Sequence, residues 1–337
     1  KQLKEQYQDE RRTEIRDEVI TDIKAEDLIK EEDVAIVYTN SGYIKRTSLS
    51  AYRFQSRGGK GRKGIEMKAE DVVDNLFVGS THSYLLVFTN KGRLYWLRAL
   101  EVPDAGPSGR GKAIANLLEF QPEEKVQSIL AVKEFRDDQF VVLLSDHGLI
   151  KKTRLSEFQH VRKGGIIAMN LKPGTNLFTA ALTSGKNDII IGTRMGKAIR
   201  FKESDVRPMG RQAAGVKAIT LKPKDRVISM IVVGDDDKYI FTASENGYGK
   251  KTPVEDYPVH RRGGQGVINL RITEKIGPAL AMVNVNEDDL LVITISGKVI
   301  RIKTTDFRPL SRATQGVKII QLEEGDRVCS VAKVRED

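Results

Sequence analysis

The sequence of 337 residues has little of what metal sites, disulfides and membrane spans require. It contains one cysteine, and its four histidines (His82, His147, His160 and His260) are far apart without metal-ligand spacing. We therefore expect neither a disulfide nor a zinc site, and a single cysteine fits a reducing cytoplasm. No apolar run approaches the roughly 18–20 residues of a membrane helix, so no membrane association is expected. Residues 1–20 are charged throughout, which argues against a signal peptide, and an opening at Lys1 rather than Met predicts a fragment of a longer chain.

Catalytic motifs are also scarce. Residues 59–64 spell GxGxxG, and residues 106–113 approach a phosphate-binding loop that ends in Ala113 instead of the Ser or Thr that would bind Mg²⁺. Neither segment opens a helix, as both motifs require. No carboxylates are placed as an acid–base pair. The sequence by itself therefore predicts no catalytic residues, no bound metal and no cofactor.

The charge is positive and unevenly distributed. The formal net charge is +10, but residues 1–33 hold 7 Lys/Arg against 12 Asp/Glu, so the remainder carries +15. A basic body of this size favours a polyanionic partner, of which nucleic acid is the commonest. Residues 1–33 also lack glycine and proline, and we predict a helix over about 1–20 and an acidic linker over 21–33.

From residue 34 to residue 337 one unit recurs six times. Each copy is an apolar strand, a turn glycine and a returning basic strand, and the turn glycines are spaced by 50, 56, 48, 51 and 50 residues. They are Gly42, Gly92, Gly148, Gly196, Gly247 and Gly297. A loop, a second glycine and two further strands complete each copy, except that Gly164-Gly165 comes early in the third. Four strands in each of six repeats predict an all-β, propeller-like disc of six blades.

Cations recur at fixed offsets within the repeat, which predicts a positive face or rim. Four residues past the turn glycine stand Arg46, Trp96, Lys152, Arg200, Lys251 and Arg301. Fifteen residues past it stand Arg57, Pro107, Lys163, Arg211, Arg262 and Arg312. Because packing alone would need only apolar positions to recur, we assign the ten cations at the two offsets to a DNA path.

The densest basic segment is Gln55-Ser-Arg57-Gly-Gly-Lys60-Gly61-Arg62-Lys63. Its glycines let backbone amides approach a phosphate, and its four cations supply charge. His260-Arg-Arg262-Gly-Gly-Gln-Gly266 repeats the pattern in the fifth copy. No base-reading helix is apparent, and Tyr52, Phe158, Tyr257 and Phe307 recur ten residues past the turn glycine, which predicts core positions. Contacts are therefore expected mostly at phosphates, with sequence preference arising from duplex bendability.

The segment Gln55-Ser-Arg-Gly-Gly-Lys-Gly61 resembles the signature box of the C-terminal domain of the DNA gyrase A protein, in the type IIA topoisomerase family. It departs from the family pattern at Ser56, where Arg or Lys is usual. Asp9-Glu-Arg-Arg-Thr-Glu-Ile15, Leu76-Phe-Val-Gly-Ser-Thr-His82 and Ile114-Ala-Asn-Leu-Leu118 are similar to other stretches of that family. The resemblance covers the whole chain, including residues 1–33 as the helical end of the catalytic core with its linker.

The resemblance implies a six-bladed β-pinwheel in which neighbouring blades exchange strands. It implies that the rim bends and wraps duplex DNA with positive handedness, so that the bacterial holoenzyme introduces negative supercoils with ATP. By matching position, the box role falls on Gln55, Arg57, Gly58, Gly59, Lys60 and Gly61, with Arg62 and Lys63 compensating for Ser56. The resemblance also implies a cytoplasmic, nucleoid-associated enzyme of two A and two B subunits. Its nucleophilic tyrosine, Mg²⁺ site and ATP site would lie outside this fragment, which we expect to be monomeric alone.

Three alternatives stay open. The matching domain of the topoisomerase IV A protein would bend DNA without handed wrapping, but it usually has a degraded box and fewer or irregular blades. A propeller that serves as a protein-interaction scaffold would have a mixed rim and a Trp-Asp repeat signature, which is absent. An enzyme with its site at the propeller axis would show convergent polar residues, whereas the repeat-matched positions hold cations.

Overall fold

The computed structural model describes residues 29–39, 41–48, 73–106 and 109–334, which form six antiparallel sheets in chain order. We call these sheets blades 1 to 6. Each begins with a β-hairpin around one of the repeat glycines. In blade order the hairpins are β1 Asp33–Thr39 with β2 Tyr43–Ser48, β4 Tyr84–Thr89 with β5 Arg93–Arg98, β8 Phe140–Ser145 with β9 Leu149–Arg154, β12 Asp188–Thr193 with β13 Lys197–Lys202, β16 Tyr239–Ser244 with β17 Tyr248–Pro253, and β20 Asp289–Thr294 with β21 Val299–Lys303.

A third strand pairs with the first hairpin strand of its own blade. These strands are β3 Val73–Ser80, β7 Val126–Val132, β11 Leu177–Thr183, β15 Val227–Val233, β19 Ala279–Val285 and β23 Val328–Val334. Third strands of neighbouring blades touch one another, as where the Ser128 hydroxyl donates to the Ala180 carbonyl at 3.1 Å. The third strands therefore lie nearest the axis of the disc.

The fourth strand of a blade comes from the next blade along the chain. These exchanged strands are β6 Lys112–Ala113, β10 Ile166–Ile167, β14 Val216–Lys217, β18 Val267–Ile268 and β22 Val317–Lys318. They pair with β2, β5, β9, β13 and β17 respectively, and blade 6 has three strands within the described residues. Because the exchanged strand is farthest from the third strand, it forms the outer edge of its blade. The predicted all-β disc of six blades is confirmed, and so is the strand exchange of a pinwheel.

The core lies in the joints between blades. Leu85 and Val87 of β4 pack with blade 1, while Leu86 and Phe88 of the same strand pack with blade 3. Alternate side chains of one strand are therefore buried on both faces, which is why these strands read as continuous apolar runs. Phe158 and Tyr257 are buried and Phe307 packs against the core of blades 5 and 6, as predicted, while Tyr52 lies outside the described residues.

The hairpin turns explain why glycine recurs. Gly196 has φ of +75°, and a Cβ placed on it would come within 2.2 Å of the Leu270 carbonyl oxygen. A side chain would therefore be strained by the backbone angle and would also collide with the chain that closes the joint.

The helices in the described residues are single 3-10 turns. They span Ala99–Glu101, Ile114–Asn116, Leu155–Phe158, Glu203–Asp205, Val254–Asp256 and Thr304–Asp306. In this part of the chain no helix has the length and apolar character needed to cross a membrane. The helix predicted over 1–20 and most of the linker lie outside the described residues, and residues 29–32 lead directly into β1.

Candidate nucleic-acid interface

A stretch that we call the linking segment leads from each 3-10 turn to the exchanged strand and includes that strand. It runs along the outside of the preceding blade, where Pro208 pairs in parallel with Lys152, Val259 with Arg200 and Pro309 with Lys251. Four linking segments are described throughout, at residues 159–167, 206–217, 257–268 and 307–318. They follow one another around the outer edge of the disc and form what we call the rim.

The four linking segments carry cations and no acid. They contain ten Lys or Arg residues and no Asp or Glu, in a chain with 46 acidic residues. Seven of the ten are exposed and three are half-buried. They are Arg162, Lys163, Arg207, Arg211, Lys217, Arg261, Arg262, Arg308, Arg312 and Lys318. Asp205, Asp256 and Asp306 end the 3-10 turns just before three of these segments, but within the segments themselves only cations occur, so this edge has an excess of positive charge that attracts a polyanion.

Four of the five cations predicted at the second offset lie in these segments, and the fifth, Arg57, is outside the described residues. Lys163 is exposed, and Arg211, Arg262 and Arg312 are half-buried at the base of the rim. Arg262 donates from Nε to the Asp205 carbonyl at 3.0 Å and from Nη1 to the Lys217 carbonyl at 3.0 Å, and Arg312 donates from Nη1 to the Ile268 carbonyl at 3.0 Å. Because a guanidinium has five N–H donors, these bonds orient the side chain and leave donors for phosphate oxygens.

A basic groove lies where blades 2, 3 and 4 meet. It encloses about 670 Å³ and is lined by Arg93, Trp96, Arg162 and Arg211, with His160 and Gln212 beside them. Arg93 donates from Nη2 to the Gly164 and Gly165 carbonyls, at 2.5 and 3.2 Å, and so ties the linking segment to β5. Blade 2, whose residues at the two predicted offsets are Trp96 and Pro107, therefore adds a cation at a different position of the repeat.

The cations predicted at the first offset have a different environment. Lys152 and Lys251 are buried and Arg200 is half-buried, all within the joint to the next blade. Their side chains donate to carbonyls at the start of the next 3-10 turn: Lys152 to Glu203 at 3.1 Å, Arg200 to Val254 at 2.9 Å and Lys251 to Thr304 at 2.7 Å. Recurrence of charge at this offset therefore has a packing explanation, contrary to our argument that packing would repeat only apolar positions.

Carboxylates complete several of these joints. Lys152 lies 3.5 Å from Oε1 of the fully buried Glu203, and Arg200 lies 2.8 Å from Oδ2 of Asp188. Arg301 pairs with Asp289 of its own blade but is exposed, and Arg46 is half-buried where its backbone pairs with that of Asp104. We therefore leave Lys152, Arg200 and Lys251, whose side chains are committed to the joints, out of the proposed DNA path, and the DNA-binding roles of Arg46 and Arg301 stay predictions.

The basic box lies outside the described residues. This applies to Gln55, Arg57, Gly58, Gly59, Lys60, Gly61, Arg62 and Lys63. Their role in DNA binding stays a prediction from the sequence and the resemblance.

Sequence reasoning assigned four of the ten rim cations to the DNA path and left six unassigned. They are Arg162, Arg207, Lys217, Arg261, Arg308 and Lys318. An offset that is basic in most repeats could not find them, because each of their positions is basic in at most three of the six copies. Counting acids across each loop would have found them, since four successive loops without Asp or Glu are conspicuous in a chain that is 30% charged.

Among the described residues, no three His, Cys, Asp or Glu side chains come together as metal ligands.

Comparison with known proteins agrees with the sixfold repeat. The model of the family described as "DNA gyrase C-terminal domain, beta-propeller" matches residues 35–80, 83–133, 139–184, 187–234, 238–277 and 288–335, one match for each blade. The DNA gyrase A protein of Staphylococcus epidermidis is 41% identical over 339 aligned residues, which cover 100% of this chain and 38% of that protein. The DNA gyrase A protein of Salmonella typhimurium is 39% identical over 335, covering 99% and 38%. The chain thus spans well under half the length of these relatives.

Solved structures show the same architecture. The C-terminal domain of a DNA topoisomerase IV superposes with a TM-score of 0.78 at 30% identity, covering 91% of this chain and 94% of that one. A DNA gyrase A C-terminal domain superposes with a TM-score of 0.71 at 26% identity, covering 90% and 99%. Matches to all six blades and to gyrase A proteins across the full chain lead to one conclusion: this chain belongs to the family of DNA gyrase C-terminal, beta-propeller domains.

Proposed function

We propose that this chain binds, bends and chirally wraps duplex DNA on its rim, as the DNA-wrapping part of a gyrase A protein. The observation that carries the proposal is the set of four acid-free linking segments, which present ten cations in succession around the outer edge. Because the outer edge of the disc is convex, its row of cations is suited to contact successive phosphates of a duplex that bends around it. The helices in the described residues are single 3-10 turns, too short to lie in a groove and read bases, so we expect the affinity to rest on contacts with the phosphate backbone.

The energetics favour a wrapped path over a single point of contact. Bending 20–30 bp of DNA through 40–90° costs on the order of 1–6 kcal/mol. Several phosphate contacts together supply that free energy, and each contributes about −0.9 to the slope of log K against log salt. Sequence preference would then follow the flexibility of the duplex.

In the whole protein this chain would act with the catalytic core of gyrase A and with the gyrase B protein, in the bacterial cytoplasm. That assembly would be an ATP-dependent type II topoisomerase of two A and two B subunits that introduces negative supercoils. Mg²⁺ and ATP would act in parts outside this chain. The proposal rests on the likeness to gyrase A proteins, of which this chain matches 38%.

A second candidate is the topoisomerase IV version of this domain, which would bend DNA without handed wrapping. The structural likeness to a topoisomerase IV C-terminal domain, with its TM-score of 0.78, favours it. Ligation of nicked circular DNA with and without the chain, followed by removal of protein and a topology gel, separates the two. A shift to positive linking number supports wrapping. Binding with no change in linking number supports bending alone, and no binding to DNA would refute both.

A further inference from the structure

A second periodicity, of two blades, runs through the joints. Three residues past the turn glycine, blades 1, 3 and 5 have a buried lysine, whereas blades 2, 4 and 6 have an uncharged residue. The lysines are Lys45, Lys151 and Lys250, and the uncharged residues are Tyr95, Ile199 and Ile300. Lysine is rarely buried without a partner, so this alternation needs a structural reason.

Each buried ammonium binds at least one main-chain oxygen of the loop that leads in from the next blade. Lys250 donates from Nζ to the Ser311 carbonyl at 2.8 Å and to the Arg312 carbonyl. Lys151 donates to the Arg211 carbonyl and to that of Ala168. Lys45 donates to the Gly106 and Gly109 carbonyls at 3.3 and 2.9 Å. From the buried side of the rim, Lys151 and Lys250 therefore bind the main chain of Arg211 and Arg312, whose guanidinium groups belong to the rim.

The segments that they hold are the most basic of the four. Residues 206–217 and 307–318 carry three cations each, while residues 159–167 and 257–268 carry two each. Loop backbone has few partners of its own, and here a few inter-blade bonds hold it, such as Met209 N–H to the Lys152 carbonyl at 2.8 Å and Leu310 N–H to the Lys251 carbonyl at 2.7 Å. The buried ammonium adds further bonds at the Arg211 and Arg312 carbonyls.

Packing alone does not require these lysines. Ile199 occupies the matching position of blade 4 and is buried, so an aliphatic side chain fills such a joint. Burial lowers the pKa of Lys151 and of Lys250 to about 7, with the nearby guanidinium of Arg211 or Arg312 as the next cause. Burying a cation here is thus unfavourable in itself, and what lysine adds over isoleucine is the bond to the linking segment.

We propose that Lys151 and Lys250 are positioning residues for DNA binding. They hold the linking segments 206–217 and 307–318 in one conformation, so that the cations of these segments are already ordered when they contact phosphates. The inference rests on the proposed function. It predicts that the rim engages DNA in units of two blades, with one ordered linking segment along the outside of blade 3 and another along the outside of blade 5. Ordering a loop before binding removes a conformational cost from association, so the affinity rises without any new contact to DNA.

The test uses Lys151→Met, Lys250→Met and their double variant in the 337-residue chain. Methionine keeps the unbranched stem and removes the ammonium. Ile199→Met controls for a change of packing at the same offset, and Lys172→Met controls for loss of one charge at an exposed site outside the linking segments. Amide hydrogen exchange, affinity for a duplex and the salt slope of that affinity are measured for all variants under conditions where circular dichroism shows them folded.

We expect exchange to rise at least about tenfold at residues 209–213 and 310–314 in the double variant and to stay unchanged at residues 261–266. Affinity should fall about tenfold, which equals roughly 1.4 kcal/mol, with the salt slope unchanged because no phosphate contact is lost. Faster exchange with unaltered affinity, or exchange that does not rise, would overturn the inference. A slope flatter by about 0.9 per lysine would also overturn it, because the ammonium would then be a phosphate contact itself. If the unsubstituted chain failed to bind DNA, the proposed function would fail instead.

Discussion

Removing rim charge should flatten the salt dependence of DNA binding by a calculable amount. If each of the ten cations in the linking segments meets one phosphate, the slope of log K against log salt is about −9. Between 50 and 200 mM salt the affinity would then fall by about 10⁵. Replacing Arg207, Arg211, Arg308 and Arg312 by Gln removes four contacts, so the slope becomes about −5.4 and the fall only about 10³.

Fluorescence anisotropy with a labelled duplex, titrated at several salt concentrations, measures both slopes. The matched control replaces Lys125, Lys172, Lys222 and Lys224 by Gln, which removes the same charge from exposed positions in the turns before the third strands. Its slope should change by far less than the rim variant's slope. Equal flattening in both variants would mean that binding follows total charge rather than the linking segments, and the assignment of the DNA path to the rim would be refuted.

Three further predictions follow from the joints and from the box. The folded-state pKa of Lys151 and Lys250 is about 7 and their ordinary pKa is 10.5, so the unfolded chain binds more protons than the folded chain between these pH values. The urea midpoint should therefore rise from pH 7 toward pH 10, and it should rise less in the Lys151→Met/Lys250→Met variant. A midpoint that falls over this range would contradict the burial of these lysines. Gly215→Ala should lower the unfolding free energy by about 1–3 kcal/mol, because Gly215 has φ of +89° and the new Cβ would lie 2.5 Å from the Ile150 carbonyl oxygen. Gly210→Ala, where a Cβ meets open space, should lower it little, and urea denaturation measures both variants. Arg57→Ala with Lys60→Ala should reduce the change in linking number on nicked circles, and unaltered binding and wrapping would disprove the role of the box.

The architecture could be predicted from the sequence because each repeat has the same turn glycine and the same apolar strand. Turn glycines such as Gly196 occupy positions that a side chain cannot, and strands such as β4 are apolar from Leu85 to Phe88 because both of their faces are buried there. Strand exchange followed from the family resemblance, and the pairing of β14 with β9 bears it out.

The joints could not be read from the sequence, because a recurrent cation looks the same whether it faces solvent or a carbonyl in the next blade. Lys152 and Lys163 are both basic repeat positions, yet one is buried against Glu203 and the other is exposed on the rim. The distinction depends on which residues of the next blade cover the strand, and those residues are about 50 positions away in the chain. The alternation of Lys151 with Ile199 likewise acquires meaning only when the loop that the lysine holds is known.

The most direct test of the DNA path is site-specific photocrosslinking to a linear duplex. Single cysteines at Gln212, Gln265 and Ala313 of the linking segments would carry the crosslinker in a Cys329→Ser background, and cysteine at Lys172 serves as the control away from the rim. The unsubstituted chain, which carries the crosslinker on Cys329, provides a second control, because Cys329 is exposed on the third strand of blade 6, β23, near the axis. The account predicts crosslinks from the three linking-segment positions at successive sites along the DNA, in chain order. Crosslinks from Lys172→Cys or from Cys329 but none from the linking segments would contradict it.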